Sequence, residues 1–241
     1  MTPRFRLIAG PNGSGKSTLV ARLARDYDVN FYTQLNADDF FAAARREGRF
    51  ALPFAVDGGH LSDYVQNSDY EARVKSFFSA GDVAVCDDCV RFRTTESVNS
   101  YTVALVTNFL QQECIARKIS FSQETVFSHP SKVAALETAR MAGFRTYLYF
   151  VSTMDATVNV ERVRNRLAQG GHGVPEEKIR QRYMRAMKLL RAARPFLSRA
   201  FFFDNSGTEM RHLASWSCEE GLCAMTDDVP QWYRENVMAF F

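Results

Sequence analysis

The chain has 241 residues, 46% of them hydrophobic, and a formal net charge of +3. That size and apolar content suit one sizeable α/β domain. No apolar run approaches the roughly 20 residues of a membrane span, and no signal-peptide core precedes residue 10, so no membrane association is expected and a cytoplasmic protein is. The five cysteines, Cys86, Cys89, Cys114, Cys218 and Cys223, form no disulfide framework. Cys86 and Cys89 could supply half of a zinc site only with Cys218 and Cys223 or a distant histidine; plain reduced thiols are the expectation.

In chain order, Phe5–Ala9 is a short apolar run that suits a buried strand, and Ser17–Leu23 has helical apolar spacing. Asn30–Leu35 predicts a second strand. Residues 41–80 are mixed, with a loop signature at Pro53 and Gly58-Gly59 and helical character from His60. Asp82–Cys86 is a short strand or buried turn. Asn99–Lys118 predicts a helix, Ile119–Thr125 a strand, Lys132–Met141 a helix and Thr146–Val151 a strand. Ala156–Leu167 is helical up to Gly170-Gly171-His172-Gly173. Pro175 opens a helix running to about Arg194, with acids near its positive end. Ala200–Phe203 is the last clear strand. Strands alternating with helices predict an α/β fold with a central, mostly parallel sheet and helices on both faces. The whole chain, 1–241, reads as a single domain, with 41–98 as an insertion or substrate-side region and 207–241 as a C-terminal extension.

The chemistry is concentrated at Gly10-Pro11-Asn12-Gly13-Ser14-Gly15-Lys16-Ser17, a complete Walker A pattern set between a strand and a helix start. The glycines let successive N–H groups turn inward around a phosphate, and the helix N-terminus adds a favourable dipole. Lys16 is the mobile cation for the β/γ-phosphates, and Ser17 offers its hydroxyl to Mg²⁺. Thr18 completes the ATP-binding stretch, and Asn205, just past the last strand, joins it. Asp38 is the candidate acceptor base because it lies just past a predicted strand, one strand along from the P-loop. Asp39 could exchange roles with it, and an N-cap is the alternative use of Asp38. Asn36 would contact the acceptor beside it.

Glu124 ends an apolar strand, where a carboxylate is costly without a partner. It could hold a Mg²⁺-bound water or, with Thr125, the acceptor's hydroxyls. Asp87 and Asp88 follow Val83-Ala84-Val85 as an aspartate follows a strand in many P-loop ATPases. Arg162 and Arg166 are four apart and share a helix face, and Arg182 follows the glycine-rich turn. Arginines flanking such a turn suit a lid over a triphosphate. Arg164 should point elsewhere. His172 reads as a turn residue. Glu161–Arg199 carries eleven Lys/Arg against three Glu, so the remaining residues sum to −5.

These segments together resemble the zeta toxin family of P-loop kinases. The resemblance rests on Gly10–Ser17, Leu35–Asp38, Asn99-Ser100-Tyr101, Phe121–Ser128, Arg162–Pro175, Lys178–Tyr183 and Phe203–Ser206, and covers roughly residues 4–206. It implies an ATP- and Mg²⁺-dependent kinase acting on a small-molecule hydroxyl, which in the best-known members belongs to UDP-N-acetylglucosamine. It implies Lys16 and Ser17 for ATP and metal, Asp38 as base and Glu124 at the acceptor. The family's two phosphate-contacting arginines flank the same glycine turn, without a forced alignment onto Arg162, Arg166 or Arg182. An antitoxin protein is an implied partner. Residues 41–98 are longer than in compact members.

Two other readings compete with a small-molecule kinase. One is a regulatory ATPase or a polynucleotide, nucleotide or NAD kinase, which the basic Glu161–Arg199 segment favours and the acidic remainder disfavours; nucleic acid is not the expected partner. The other is a non-catalytic nucleotide-binding module, against which the intact Lys16, Asp38 and arginine set argues.

Overall fold

The computed structural model describes residues 2–67, 78–94, 96–168 and 173–241. The elements in order are β1 (Arg4–Ala9), α1 (Lys16–Tyr27), β2 (Thr33–Leu35), α2 (Ala37–Glu47), β3 (Arg49–Ala51), α3 (Gly58–Asn67), β4 (Val83–Cys86), β5 (Cys89–Phe92) and α4 (Ser100–Ala116). There follow β6 (Phe121–Thr125), α5 (Ser131–Met141), β7 (Arg145–Ser152), α6 (Ala156–Ala168), α7 (Glu176–Ala193), β8 (Arg199–Asp204), β9 (Arg211–Ser217), β10 (Gly221–Ala224) and a last helical segment beginning at Gln231–Tyr233. The backbone groups into two compact units, Met1–Tyr32 with Lys118–Phe241, and Thr33–Arg117.

In the first unit the sheet runs β10-β9-β8-β7-β1-β6. β6, β1, β7 and β8 are parallel neighbours, while β9 and β10 add antiparallel to the β8 edge. The mostly parallel sheet expected from the strand–helix alternation is therefore present. β1 is buried from Phe5 to Ala9 because it is flanked by strands on both sides and by side chains on both faces. Ile8 packs with Leu19 and Leu23 of α1 and with Tyr149, Val151 and Phe203 of the neighbouring strands. Phe5 stacks on Phe121 at 4.3 Å. Arg6 is buried; Tyr149 accepts its hydrogen bond, and its guanidinium lies 4.7 Å from the ring centroid of Tyr147. Burial raises the Tyr149 hydroxyl above the ordinary tyrosine range, and Arg6 partly offsets this.

The C-terminal extension is more regular than its composition implies. Residues 211–224 are a hairpin continuing the sheet, and Trp232 and Tyr233 are buried, in ring contact with Phe150 of β7 and Phe202 of β8. Phe202 meets Tyr233 at 6.2 Å and Phe241 at 4.9 Å, both edge-on. The strand expected over Asn30–Leu35 shortens to Thr33–Leu35. Tyr32 adopts φ +56, and its N–H donates to Asn30 Oδ1 at 2.7 Å, so the first three residues form an asparagine turn.

The second unit is built around a small antiparallel sheet, β3-β5-β4, backed by aromatics. Phe40 stacks on Phe50 at 4.5 Å, and Phe92 lies 6.2 Å from Phe50 and 6.4 Å from Phe78. Asn99 starts α4 through a capping box: its Oδ1 accepts from the N–H groups of Tyr101 and Thr102, and Thr102 Oγ1 accepts from Asn99 N–H. The Asn99–Tyr101 segment is thus a helix start. Asp87 and Asp88 occupy the two-residue turn joining β4 to β5, with Asp87 at φ +53 and Cys86 opposite Cys89. The comparison with the strand-following aspartate of P-loop ATPases is corrected here: that aspartate follows a parallel strand, and these two make a hairpin. The helix expected from His60 to Ala80 is present over Gly58–Asn67; residues 68–77 lie outside the described residues, and Phe78 and Ser79 are not helical.

Candidate functional site

The loop between β1 and α1 is shaped by close approach from sequence-distant elements. Gly10 has φ +154, and a Cβ there would overlap the carbonyl oxygen of Val151 on β7. Gly15 has φ +95, and a Cβ there would overlap the side-chain amide of Asn205. Neither position tolerates a side chain, which leaves the loop's N–H groups lining the cradle. Asn205 Nδ2 donates to Ser14 O at 2.9 Å, so this residue, expected at the nucleotide, buttresses the loop from the end of β8. Ser14 Oγ is fully buried and has no hydrogen-bond partner among the described residues.

Lys16 is the first residue of α1, and its Nζ donates to Gly10 O and Pro11 O, both at 3.1 Å. The ammonium thus spans the mouth of the loop. Ser17 Oγ donates to Glu124 Oε1 at 3.0 Å and Oε2 at 3.2 Å. This pairing follows from register: Ile8 of β1 is the partner of Glu124 on β6, so the carboxylate emerges where α1 begins. The two residues expected to share a metal are 107 apart in sequence and in direct contact. Thr125 pairs with Ala9, and its Oγ1 accepts from Phe127 N–H at 3.3 Å. Thr18 is exposed on the first turn of α1.

The donor set fits ATP and Mg²⁺ on this structure's own terms. The loop is a glycine-lined cradle with an orphaned buried hydroxyl, a lysine aims across it, and hydroxyl and carboxylate oxygens meet at its edge. Hard oxygen donors are what Mg²⁺ selects, with most of its shell left to water and phosphate.

The arginines divide differently from a shared-face picture. Arg182 on α7 reaches the P-loop itself, donating to Asn12 Oδ1 at 3.2 Å. Arg162 on α6 is half-buried and donates to Gly207 O at 3.4 Å. Arg166 is exposed near the end of α6. Arg164 pairs with Glu176 at 3.6 Å, linking α6 to α7. Gly170, Gly171 and His172 lie outside the described residues.

Two buttressing residues escape a sequence reading. Asn159 on α6 is fully buried; its Nδ2 donates to Asn12 O at 2.5 Å, and its Oδ1 accepts from Thr153 Oγ1. The available signal is an amide between Val158 and Val160 on a helix face with apolar spacing. Tyr183 donates to Thr153 O at 2.8 Å, and burial pushes its hydroxyl up to about 12, so it stays a neutral donor. Asp204, at the end of β8, is 2% exposed and committed to internal donors.

Asp38 belongs to the second unit. It is exposed in the first turn of α2, and its N–H donates to Asn36 Oδ1 at 3.1 Å. Asn36 is therefore the N-cap, which leaves the Asp38 carboxylate uncommitted to capping. Asp39 is exposed beside it.

Comparison with known proteins follows this geometry. An AAA domain, AAA_33, matches residues 6–190. An uncharacterized protein of Haemophilus influenzae is 29% identical over 69 residues, 29% of this chain and 49% of that protein, so the match spans about half of that relative. Among solved structures, one from the PezAT chromosomal toxin–antitoxin system of Streptococcus pneumoniae aligns with 99% of this chain and 84% of its own, at 10% identity and TM-score 0.53. The AvrRxo1-ORF1:AvrRxo1-ORF2 complex with sulphate ions aligns with 98% of this chain at 12% identity and TM-score 0.58. The same pair with ATP aligns with 93% at 11% identity and TM-score 0.52. This chain spans 63% and 61% of those two chains, under two thirds of each. At these identities the likeness is one of fold, a P-loop α/β architecture around a mostly parallel sheet. No helix among the described residues is long and apolar enough to cross a membrane. With the matched region covering the P-loop, both arginine helices and the parallel strands β1, β6 and β7, the chain belongs to the AAA domain family, in its AAA_33 branch.

Proposed function

We propose that this protein is an ATP-dependent kinase that transfers the γ-phosphate to a hydroxyl of a small molecule, with a UDP-amino sugar such as UDP-N-acetylglucosamine as the acceptor class. The observation that carries the reading is the contact of Ser17 with Glu124 at the mouth of a complete P-loop. A binding module needs the cradle alone; an acidic oxygen pair beside it is what metal-assisted phosphoryl transfer adds. Ser17, with Glu124 through water, would hold Mg²⁺, which when bound would supply charge neutralisation at the phosphates. Gly10 to Thr18 would wrap the phosphates through backbone N–H groups, with Asn205 keeping the loop in shape. Lys16 would leave the carbonyls of Gly10 and Pro11 for the β/γ-phosphate oxygens. Asp38 would accept the acceptor's hydroxyl proton, with Asn36, Glu124 and Thr125 orienting the acceptor. Arg162, Arg166 and Arg182 would bear on the equatorial oxygens of the transferring phosphoryl.

The single-domain reading, with 41–98 on the substrate side, belongs to this proposal, as does a cytoplasmic location. So does a partner antitoxin protein, since the fold is shared with chains from the PezAT toxin–antitoxin system and the AvrRxo1 complex. The test is incubation with γ-labelled ATP and a metabolite extract, then a mass search for a product heavier by one phosphate, with UDP-N-acetylglucosamine as the first pure acceptor. A phosphorylated metabolite supports the reading. Label released only as inorganic phosphate turns it to an ATPase, and label on oligonucleotide ends to a polynucleotide kinase.

A further inference from the structure

We infer that the C-terminal segment is a positioning device for the nucleotide cradle, acting from Trp232 through Asp204 to the Asn205–Ser206 turn that holds the P-loop. The inference rests on the nucleotide-binding reading above. Asp204 ends β8 with its side chain 3% exposed. A buried carboxylate is costly unless donors surround it. Here Trp232 Nε1 donates to Oδ1 at 3.0 Å, and Ser206 Oγ donates to the same oxygen at 2.7 Å. Ser206 N–H donates to Oδ2 at 3.3 Å, and Arg211 lies 3.7 Å from Oδ2 while also pairing with Asp228 at 2.8 Å. Donors from the following turn, from β9 and from the last helical segment thus converge on one side chain.

What that side chain holds is the turn facing the P-loop. Asn205 N–H donates to Ser152 O at 2.8 Å, and Asn205 Nδ2 donates to Ser14 O at 2.9 Å. Ser206 Oγ also accepts from Met154 N–H at 2.7 Å, tying the turn to the end of β7. Trp232 is itself fixed, 5.9 Å from both Phe150 and Tyr233 between ring centroids. Hydrogen bonds joined by the covalent step from Asp204 to Asn205 therefore lead from a residue outside the AAA_33 match to the carbonyl of Ser14. Trp232 touches no position where a phosphate would sit, so it is a positioning residue.

The experiment titrates Mg²⁺-ATP calorimetrically into the full chain as wild type, Trp232→Phe, Asn205→Ala and the double variant. Trp232→Phe keeps an aromatic ring and removes only the indole donor. Expected are losses of about tenfold in ATP affinity for each single variant, with the double no weaker than Asn205→Ala alone, as coupled residues behave. Gln231→Ala, exposed on the same segment, should bind as wild type. Wild-type affinity in Trp232→Phe overturns the inference, and so does a loss that adds in full to that of Asn205→Ala, since a merely structural tail would act independently of Asn205. Ser206→Ala, which leaves the tail's packing in place, carries the same expectation and the same overturning results if Trp232→Phe does not fold. A wild-type chain that binds no ATP overturns the proposed function and this inference together. Wild-type binding lost in Lys16→Ala supports the nucleotide reading and leaves Trp232→Phe to decide the inference alone.

Discussion

The two compact units hold their candidate chemical groups by opposite means. In the first, polar side chains are bonded across long sequence distances, from buried Asn159 to Asn12, from half-buried Asn205 to Ser14 and from exposed Ser17 to Glu124. In the second, the polar contacts at helix starts and turns are mostly local, such as Asn36 with Asp38, Asn99 with Thr102 and Ser79 with Asp82, while stacked aromatics make the core. Buried polar networks are rigid when satisfied and costly when broken. Local caps fix a helix start and leave neighbouring side chains exposed. The first arrangement suits a preorganised cradle for a highly charged group, and the second suits a carboxylate that meets a variable acceptor. Substitutions in the first unit should therefore disturb nucleotide handling, and those at Asp38 the transfer step alone.

The largest expected effect is at Lys16. Lys16→Ala should abolish turnover while the protein stays folded, because the lysine's hydrogen bonds to the Gly10 and Pro11 carbonyls lie within the loop and loop substitutions of this kind cost little stability. Turnover at the wild-type rate in a folded Lys16→Ala protein breaks the assignment of the cradle. Next comes Asp38→Asn, which keeps shape and removes the proton acceptor. ATP affinity should stay at the wild-type value while transfer slows by roughly 10²-fold, the scale of general-base catalysis. A parallel fall in ATP affinity would erase the contrast between the units; full activity would move the base to Asp39.

A smaller effect separates the arginines. Arg182→Ala, Arg162→Ala and Arg166→Ala should each lower kcat by roughly tenfold, more than they raise the ATP Michaelis constant, because contacts to the transferring phosphoryl strengthen in the transition state. Arg182 should lead, since it already touches Asn12. Arg164→Ala is the internal control: its exposed pair with Glu176 is worth at most about 1 kcal/mol. Steady-state kinetics on the four variants decides the matter, and damage confined to Arg164→Ala sinks the lid picture.

The contrast also explains what the sequence discloses. The P-loop is contiguous, so its eight residues announce both the turn and the cation. Glu124 is legible as a carboxylate stranded at an apolar strand end, but its pairing with Ser17 needs the register of β1 against β6. Asn159 and Trp232 look like ordinary helix and tail residues, because their roles come from partners 147 and 28 positions away. Long, strongly patterned elements such as α7 are found within a residue or two. β9 and β10 are hidden, since a short antiparallel edge with mixed polarity has no periodic signature of its own. In the second unit, Cys86-Asp87-Asp88-Cys89 looks like a strand end followed by acids, and only cross-strand pairing reveals the hairpin.

The smallest effect tests whether the C-terminal hairpin belongs to the rigid, polar-networked side of the contrast. His212 on β9 stacks on Phe203 with ring centroids 4.8 Å apart, and its Nε2 lies 3.0 Å from Ala214 O. Burial lowers its pKa below the ordinary histidine value of about 6.5, with the Ala214 carbonyl opposing and Arg22 adding to the fall. The folded protein therefore resists protonation that the unfolded chain accepts. As pH falls through about 6.5 the unfolded chain takes up the proton first, so this residue's contribution makes stability decline from there downward. Above that pH the imidazole is neutral in both states and contributes no slope. His212→Phe keeps a stacked ring and cannot titrate. Chemical denaturation of both proteins between pH 5 and 8 should show a shallower acid-side decline in His212→Phe, with parallel curves above pH 7. Identical acid-side slopes would mean that the β9 edge opens to water before the unit unfolds, and the hairpin would then lie outside the rigid cradle.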